Sequence, residues 1–338
     1  LNIKRKAYLN LPSKKNGHEE FRHPDNEDRM ICRENLQKHL EKVINGDEVR
    51  DLENEFGNWL ENRLEPNLIF LDEHDYLNAS INALKTYGNI AGTDYGSSRQ
   101  RDKVQMWSDM IRGYLGEIAV KKKIKNDFNI NVHLAHEEGK LDEYKDSDIP
   151  KIKSQDGSIR ENKLKVSIKA TKWSGVWLDC PGDQYNHSDA FILVKINTGT
   201  EHLMSFLKNL KFFENILLKK GLEKKIIDED SKNKILNKIS DFNKISLFAY
   251  IAGYHFRKSD TKIIYEGKKG RKNYEVTAAE GYLLDGFTEQ VKKEQSLEEN
   301  AKVKFVGIGE FTSNNKFIVN TGRLKYSKED WNCLVEKF

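Results

Sequence analysis

Between Arg112 and Ile196 the chain carries opposite charges on segments whose hydrophobic pattern sets their geometry. In KLKVSIKAT, Leu164, Val166, Ile168 and Ala170 fall on one face of an extended strand. Lys163, Lys165, Ser167, Lys169 and Thr171 fall on the other. Three lysines on one face repel each other, which is unusual for plain sheet packing; a solvated outer face is the competing reading. Upstream, GYLGEIAVKKKI places Glu117 beside the apolar stripe of a helix, and HEEGKLDEYKDSDIP offers Asp146 and Asp148 just before an Ile-Pro stop. Carboxylates with a lysine are the residue types that phosphodiester hydrolysis needs. The reaction requires a water activated near neutral pH and a sink for charge on the transition state. Mg²⁺ binds one or two carboxylates and keeps several waters, and it can activate a bound water and polarise a phosphate. An ammonium can stabilise the pentavalent phosphate and offset repulsion between the carboxylates.

The order of these pieces is a helix with Glu, a strand with Asp, a strand with x-Ile-Lys, and the hydrophobic strand AFILVKI. It resembles the core of the PD-(D/E)XK nuclease superfamily, best known from type II restriction endonucleases. The resemblance covers roughly residues 112–196 and extends more loosely to AYIAGYHF and NYEVTAAEGYLLDGF. It implies that Asp148 is the family's aspartate, with Asp146 the alternative, and that Lys169 is its lysine, with Lys165 the alternative. Glu117 matches the acid that many members carry on the first core helix. Ser167 stands where the family has Glu or Asp, so the resemblance implies an acid recruited from elsewhere, Asp183 or Glu117. Mg²⁺ would be held by Asp148, one of those acids and the carbonyl of Ile168. The implied fold is α/β, a mixed central β-sheet flanked by helices. The implied activity is Mg²⁺-dependent, site-specific cleavage of double-stranded DNA by a cytoplasmic homodimer, or a tetramer given Ser167, since two-fold DNA sites match two-fold proteins. A structure-selective or repair nuclease is the alternative within the family. A non-catalytic DNA-binding protein with a degenerate centre is the alternative outside it.

The elements that must position these residues follow from periodicity. Residues 1–95 read as an N-terminal helical region for DNA recognition or dimerisation. One helix spans about Glu27 to Asn45, a second places Leu52, Phe56, Trp59, Leu60 and Leu64 at helical spacing before Pro66, and a third runs from Glu73 to about Gly88. GNIAGTDYGSSRQR reads as a linker. The nuclease-like core then occupies 96–338. It opens with a long helix from about Arg99 to Lys125, closing in a solvated basic turn, KKKIK. INVHLA, KLKVSIKAT and AFILVKIN read as strands, 201–243 as a Lys-rich helical insertion, and LFAYIAGY, KVKFVGIGEF and KFIVNTG as later strands.

Other candidates carry less. His133 and His136 lack a third ligand at metal spacing, so a surface or packing role is expected. Lys268, Lys269, Arg271 and Lys272 form a basic cluster beside Tyr265 and Tyr274 that suits a phosphate backbone or a solvated hairpin tip. Arg99, Arg101 and Lys103 form a second possible clamp. Trp173 and Trp177 are expected to pack in the core. DCPGDQYN, which contains Asp183, reads as a loop.

With 338 residues, 37% apolar and 33% charged, the chain can build a core and a solvated surface, and 16 Phe, 13 Tyr and 5 Trp argue against general disorder. The net charge of +4 alone does not indicate nucleic acid. Three remote cysteines form no CxxC pair, against a zinc ribbon or a disulfide framework. No run approaches the ~18 apolar residues of a membrane span, and LNIKRKAYLNLPSKK lacks the apolar core of a secretory signal. No dinucleotide fingerprint, Ser-His-Asp elbow or kinase set is present.

Overall fold

A computed structural model describes residues 20–22, 30–32, 48, 55–86, 102–137, 147–153, 157–198, 202–240, 247–258, 262–310 and 315–338. Strands β1 (Glu20–Arg22) and β2 (Met30–Cys32) pair antiparallel. Helix α1 (Phe56–Trp59) continues through a π-helical turn to Leu64 and a 3-10 turn at Glu65–Asn67 into β3 (Leu68–Leu71). Helices α2 (Glu73–Thr86) and α3 (Lys103–Phe128) follow, then β4 (Asn131–His133), β5 (Lys151–Lys153), β6 (Ile159–Glu161), β7 (Val166–Lys172) and β8 (Trp177–Pro181). Next come α4 (Gly182–His187), β9 (Ala190–Ile196), α5 (His202–Asn209), a π-helical segment Phe213–Leu218, α6 (Lys219–Glu223) and α7 (Glu229–Ser240). The chain ends with β10 (Leu247–Phe256), β11 (Ile264–Lys269), β12 (Asn273–Leu283), α8 (Phe287–Glu294), β13 (Lys302–Phe305), β14 (Lys316–Asn320) and α9 (Lys328–Val335).

AFILVKI has no polar–apolar alternation, the pattern of a strand covered on both faces. Accordingly β9 is an inner strand of a sheet ordered β3-β10-β9-β7, parallel to β7 and antiparallel to β10, and all its residues are buried. The fold is therefore mixed α/β. One face of this sheet packs against α3 through Val166, Ile168, Ile192 and Val194, which meet Leu115, Ile118 and Ala119. Its other face, with Phe191, Leu193 and Phe248, packs on a second sheet ordered β11-β12-β14-β8, with β13 added to β12, through Leu178, Cys180, Phe317 and Val319. Helix α8 covers the far side of that second sheet with Phe287 and Val291. The layers thus run helix, sheet, sheet, helix.

Three expectations change. Residues 1–95 are not a purely helical region. Met30–Cys32, inside the expected first helix, is a strand paired with Glu20–Arg22; an apolar run that short is compatible with either structure. Leu68–Leu71 joins the central sheet, and Ile69, Leu71, Tyr76, Ala79 and Ala83 share one core with α3, so no boundary near residue 95 separates two cores. Helix α3 starts later than Arg99, at Lys103, because the Asp102 side chain accepts the Gln105 N–H at 2.8 Å. It also runs past KKKIK to Phe128, where Asn129 adopts φ 54° and closes it. KKKIK is therefore not a solvated turn: Lys121 pairs with Glu137, Lys122 with Asp75, and Lys123 is buried against Asp127. The helical insertion matches α5 to α7. Among the described residues, no helix is long and apolar enough to cross a membrane.

Candidate active site

Strand β7 pairs with β9 along one edge only, which leaves N–H and C=O groups on its other edge to be satisfied. The segment around Asp148 does this. Asp148 donates its N–H to the Val166 carbonyl at 2.8 Å, its C=O accepts the Ala135 N–H at 3.0 Å, and the Ser147 hydroxyl accepts the Val166 N–H at 3.0 Å. The Asp148 carboxylate is thereby laid along the edge, where Oδ2 accepts the N–H of Ile168 at 2.5 Å. Because the N–H and C=O of a strand residue point the same way, the Ile168 carbonyl faces the same edge.

Glu117 approaches from the α3 side. Gly116 makes this possible: a Cβ there would lie 2.8 Å from the Ala170 Cβ, so the helix sits close on β7. The Glu117 carboxylate meets His136 Nδ1 at 2.7 Å, and its side chain is 16% exposed. Burial pushes the Glu117 carboxyl up to about 7. The hydrogen bond from His136 opposes the rise, and the negative charge of Asp148 adds to it. Asp148 is also raised by burial, against the pull of the Ile168 N–H and the Lys169 ammonium. Lys169 lies on the opposite face of β7 from Ile168, beside the second sheet, and donates to Gln184 Oε1 at 2.5 Å. Asp148 at the strand edge thus lies in the fields of Glu117 on one face and Lys169 on the other.

The half-buried Ser167 shares the face of Lys169. Asp183 lies in α4, not in a loop, and its side chain lies outside the described residues, as do Asp146, Arg99 and Arg101. Lys103 is exposed on the first turn of α3, away from the strand edge. Lys163 and Lys165 are exposed, so only Lys169 of the three strand lysines turns inward. Lys268, Lys269, Arg271 and Lys272 form the exposed tip of the β11–β12 hairpin on the second sheet, where Lys269 donates to the carbonyls of Gln295 and Ser296 at 3.0 and 3.1 Å. Trp173 and Trp177 are packed in the core, against Phe248 and Phe305.

Among the described residues no group of three or more His, Cys, Asp or Glu side chains is placed to hold a metal ion. Mg²⁺ asks for less. Two carboxyls whose affinity for a proton is raised by burial, beside a strand carbonyl, fit a hard cation that retains most of its water. Compared with known proteins, the chain matches no family model, no curated protein and no solved structure.

Two contacts of the candidate site carry no signal in the sequence. His136 lies in HLAH, and its pairing with Glu117 arises from a 3-10 turn at Ala135–Glu137 that carries no periodic signal. Gln184 lies in a six-residue helix, and nothing in the sequence ties it to Lys169.

Proposed function

We propose that the chain is a Mg²⁺-dependent, site-specific endonuclease of double-stranded DNA, of the type II restriction class. The observation that carries this reading is the Asp148 carboxylate lying along the edge of β7 on the Ile168 N–H, with Glu117 and Lys169 on either side. Asp148, Glu117 and the carbonyl of Ile168 would hold the ion. Bound there, Mg²⁺ supplies an activated water and a polarised phosphate. The residues do the rest. The Lys169 ammonium, steadied by Gln184, offers positive charge to the pentavalent phosphate. The hydrogen bond with His136 would fix the orientation of the Glu117 carboxylate toward the ion. Asp148 is held in one orientation by the backbone, so no rotamer search accompanies the reaction. A two-fold DNA site would call for a homodimer, or a tetramer as a pair of dimers.

The test is incubation of the purified protein with unmethylated phage DNA, with Mg²⁺ and with EDTA. Discrete fragments with Mg²⁺ alone support the proposal. A smear points to a structure-selective or nonspecific nuclease. Intact DNA that the protein shifts equally with or without Mg²⁺ points to a DNA-binding protein and makes Ser167 the mark of a dead centre.

A further inference from the structure

We infer that the outer face of α2 is a self-association surface, on which a second copy of this chain docks antiparallel about a two-fold axis. The inner face of the helix is already occupied. Asp75, Tyr76, Ala79 and Ala83 are buried. Trp107 Nε1–H of α3 donates to the Ser80 carbonyl at 3.2 Å, Lys122 of α3 pairs with Asp75, and the Tyr76 ring lies 4.7 Å from that of Phe206 on α5. This packing turns Leu77, Ile81 and Leu84, at steps of four and three, outward along one stripe. They are 36%, 45% and 57% exposed.

Single exposed apolar residues are ordinary, whereas a row of them along one helix face marks a surface that something covers. The charges at the ends of the row say what. Glu73 lies one turn before Leu77, and Lys85 lies beside Leu84; both are exposed, and neither makes an ion pair among the described residues. The stripe is thus acidic at one end, apolar in the middle and basic at the other. Laid antiparallel on an identical helix, it complements itself. The register that sets Leu77 against the second copy's Ile81 also sets Glu73 against its Lys85, because both pairs are centred on Ala79. The two-fold axis repeats each contact, as in any isologous interface. A parallel arrangement would instead put Glu73 on Glu73 and Lys85 on Lys85, and like charges in contact are penalised.

Helix α2 has 14 residues, a length of about 21 Å at ~1.5 Å per residue. A contact confined to one face of it is smaller than the ~800 Å² per partner of a standard interface, so the dimer is a weak one, with a Kd on the order of 10 µM. The face is defined without reference to DNA, and the two-fold dimer it builds is the kind that a two-fold DNA site calls for.

The test contains no DNA, so its failure and that of the endonuclease proposal are distinguishable. Sedimentation velocity on the full chain at low ionic strength, where exposed charges act most strongly, is run from about 1 to 200 µM, a range that brackets a micromolar dimer. The wild type should pass from one chain to two as concentration rises. Ile81→Glu puts a charge in the middle of the apolar row, once from each copy, and should raise the Kd at least tenfold. Glu73→Lys and Lys85→Glu, both at exposed positions, should each weaken the dimer severalfold, since each sets like charges opposite one another at two places. An equimolar mixture of these two variants should recover the wild-type Kd, because in the antiparallel heterodimer both charge pairs are again opposite. A wild type that stays monomeric, with a lower urea midpoint in Ile81→Glu or without one, would overturn the inference; the lower midpoint would show that the chain covers this face itself. A dimer that Ile81→Glu leaves unchanged, or a mixture no tighter than either variant alone, would overturn it equally.

Discussion

Glu117 shows how burial converts an ordinary carboxylate into a group that titrates near neutrality. Its proton is held to about pH 7 against the usual 4.5, chiefly because the charged form is desolvated and faces Asp148. The sign follows from linkage. The folded state binds this proton more tightly than the unfolded state, so the stabilisation is fully present below about pH 4.5 and is lost as pH rises through about 7. Glu117→Gln removes that loss. In EDTA, where no added cation offsets the charge, the variant should unfold at a higher urea concentration than the wild type at pH 8, by about 1–3 kcal/mol. The advantage should shrink severalfold by pH 5 and vanish below about pH 4. A constant difference across that range would show that Glu117 keeps an ordinary carboxyl in the fold.

At the scale of elements, the site depends on how closely α3 lies on β7. Two helical glycines separate intrinsic propensity from packing. Gly113 has nothing within 4 Å of a built Cβ, so Gly113→Ala should stabilise the protein by the usual ~0.5–1 kcal/mol. Gly116→Ala should do the reverse, losing about 1–3 kcal/mol through overpacking on Ala170. Adding Ala170→Gly to Gly116→Ala should recover part of the loss, and a double-mutant cycle by urea denaturation measures the coupling. Additive effects would mean that the helix is not seated on the strand at this point. These two elements were also the most legible in the sequence. The alternation in KLKVSIKAT puts Val166, Ile168 and Ala170 on one face, which packs on α3, and the long helix expected over about Arg99 to Lys125 is largely α3. The mutual placement of Glu117, Asp148 and Lys169 was not legible from periodicity, because it is made by a strand edge, a 3-10 turn and a six-residue helix. Short elements of this kind have no repeat to read, and their partners lie 15 to 20 residues away. Met30–Cys32 failed for a related reason, since three apolar residues do not distinguish a helix from a strand.

Across the whole molecule, two sheets and their helices are joined around a buried charge cluster. Lys195 sits on central strand β9 with its side chain fully buried, and Glu48, equally buried, meets it at 2.8 Å. Tyr250 and Trp59 donate to the same carboxylate at 2.8 and 3.2 Å, and Arg63 lies 4.0 Å away. Burial alone would raise the Glu48 carboxyl, yet Lys195 and Arg63 hold it below the usual range. Glu48 thereby ties an early stretch of chain to the middle of the sheet. Glu48→Gln leaves a buried ammonium short of a counter-charge and should cost about 3–5 kcal/mol by chemical denaturation, whereas Glu48→Leu with Lys195→Met should recover most of it. An unchanged unfolding midpoint in Glu48→Gln would mean that the pair is not buried as described. The proposal that this scaffold serves DNA cleavage rests on Asp148 at the strand edge and on Lys169, the lysine of KLKVSIKAT that turns inward. The most direct measurement compares the wild type with Lys169→Ala on one DNA substrate in Mg²⁺, reading cleavage and gel-shift binding on the same samples. The proposal predicts cleavage by the wild type and at least a hundredfold loss in the variant (on the order of one electrostatic transition-state contact), with binding retained. Undiminished cleavage by Lys169→Ala, or DNA left intact by the wild type, would contradict it.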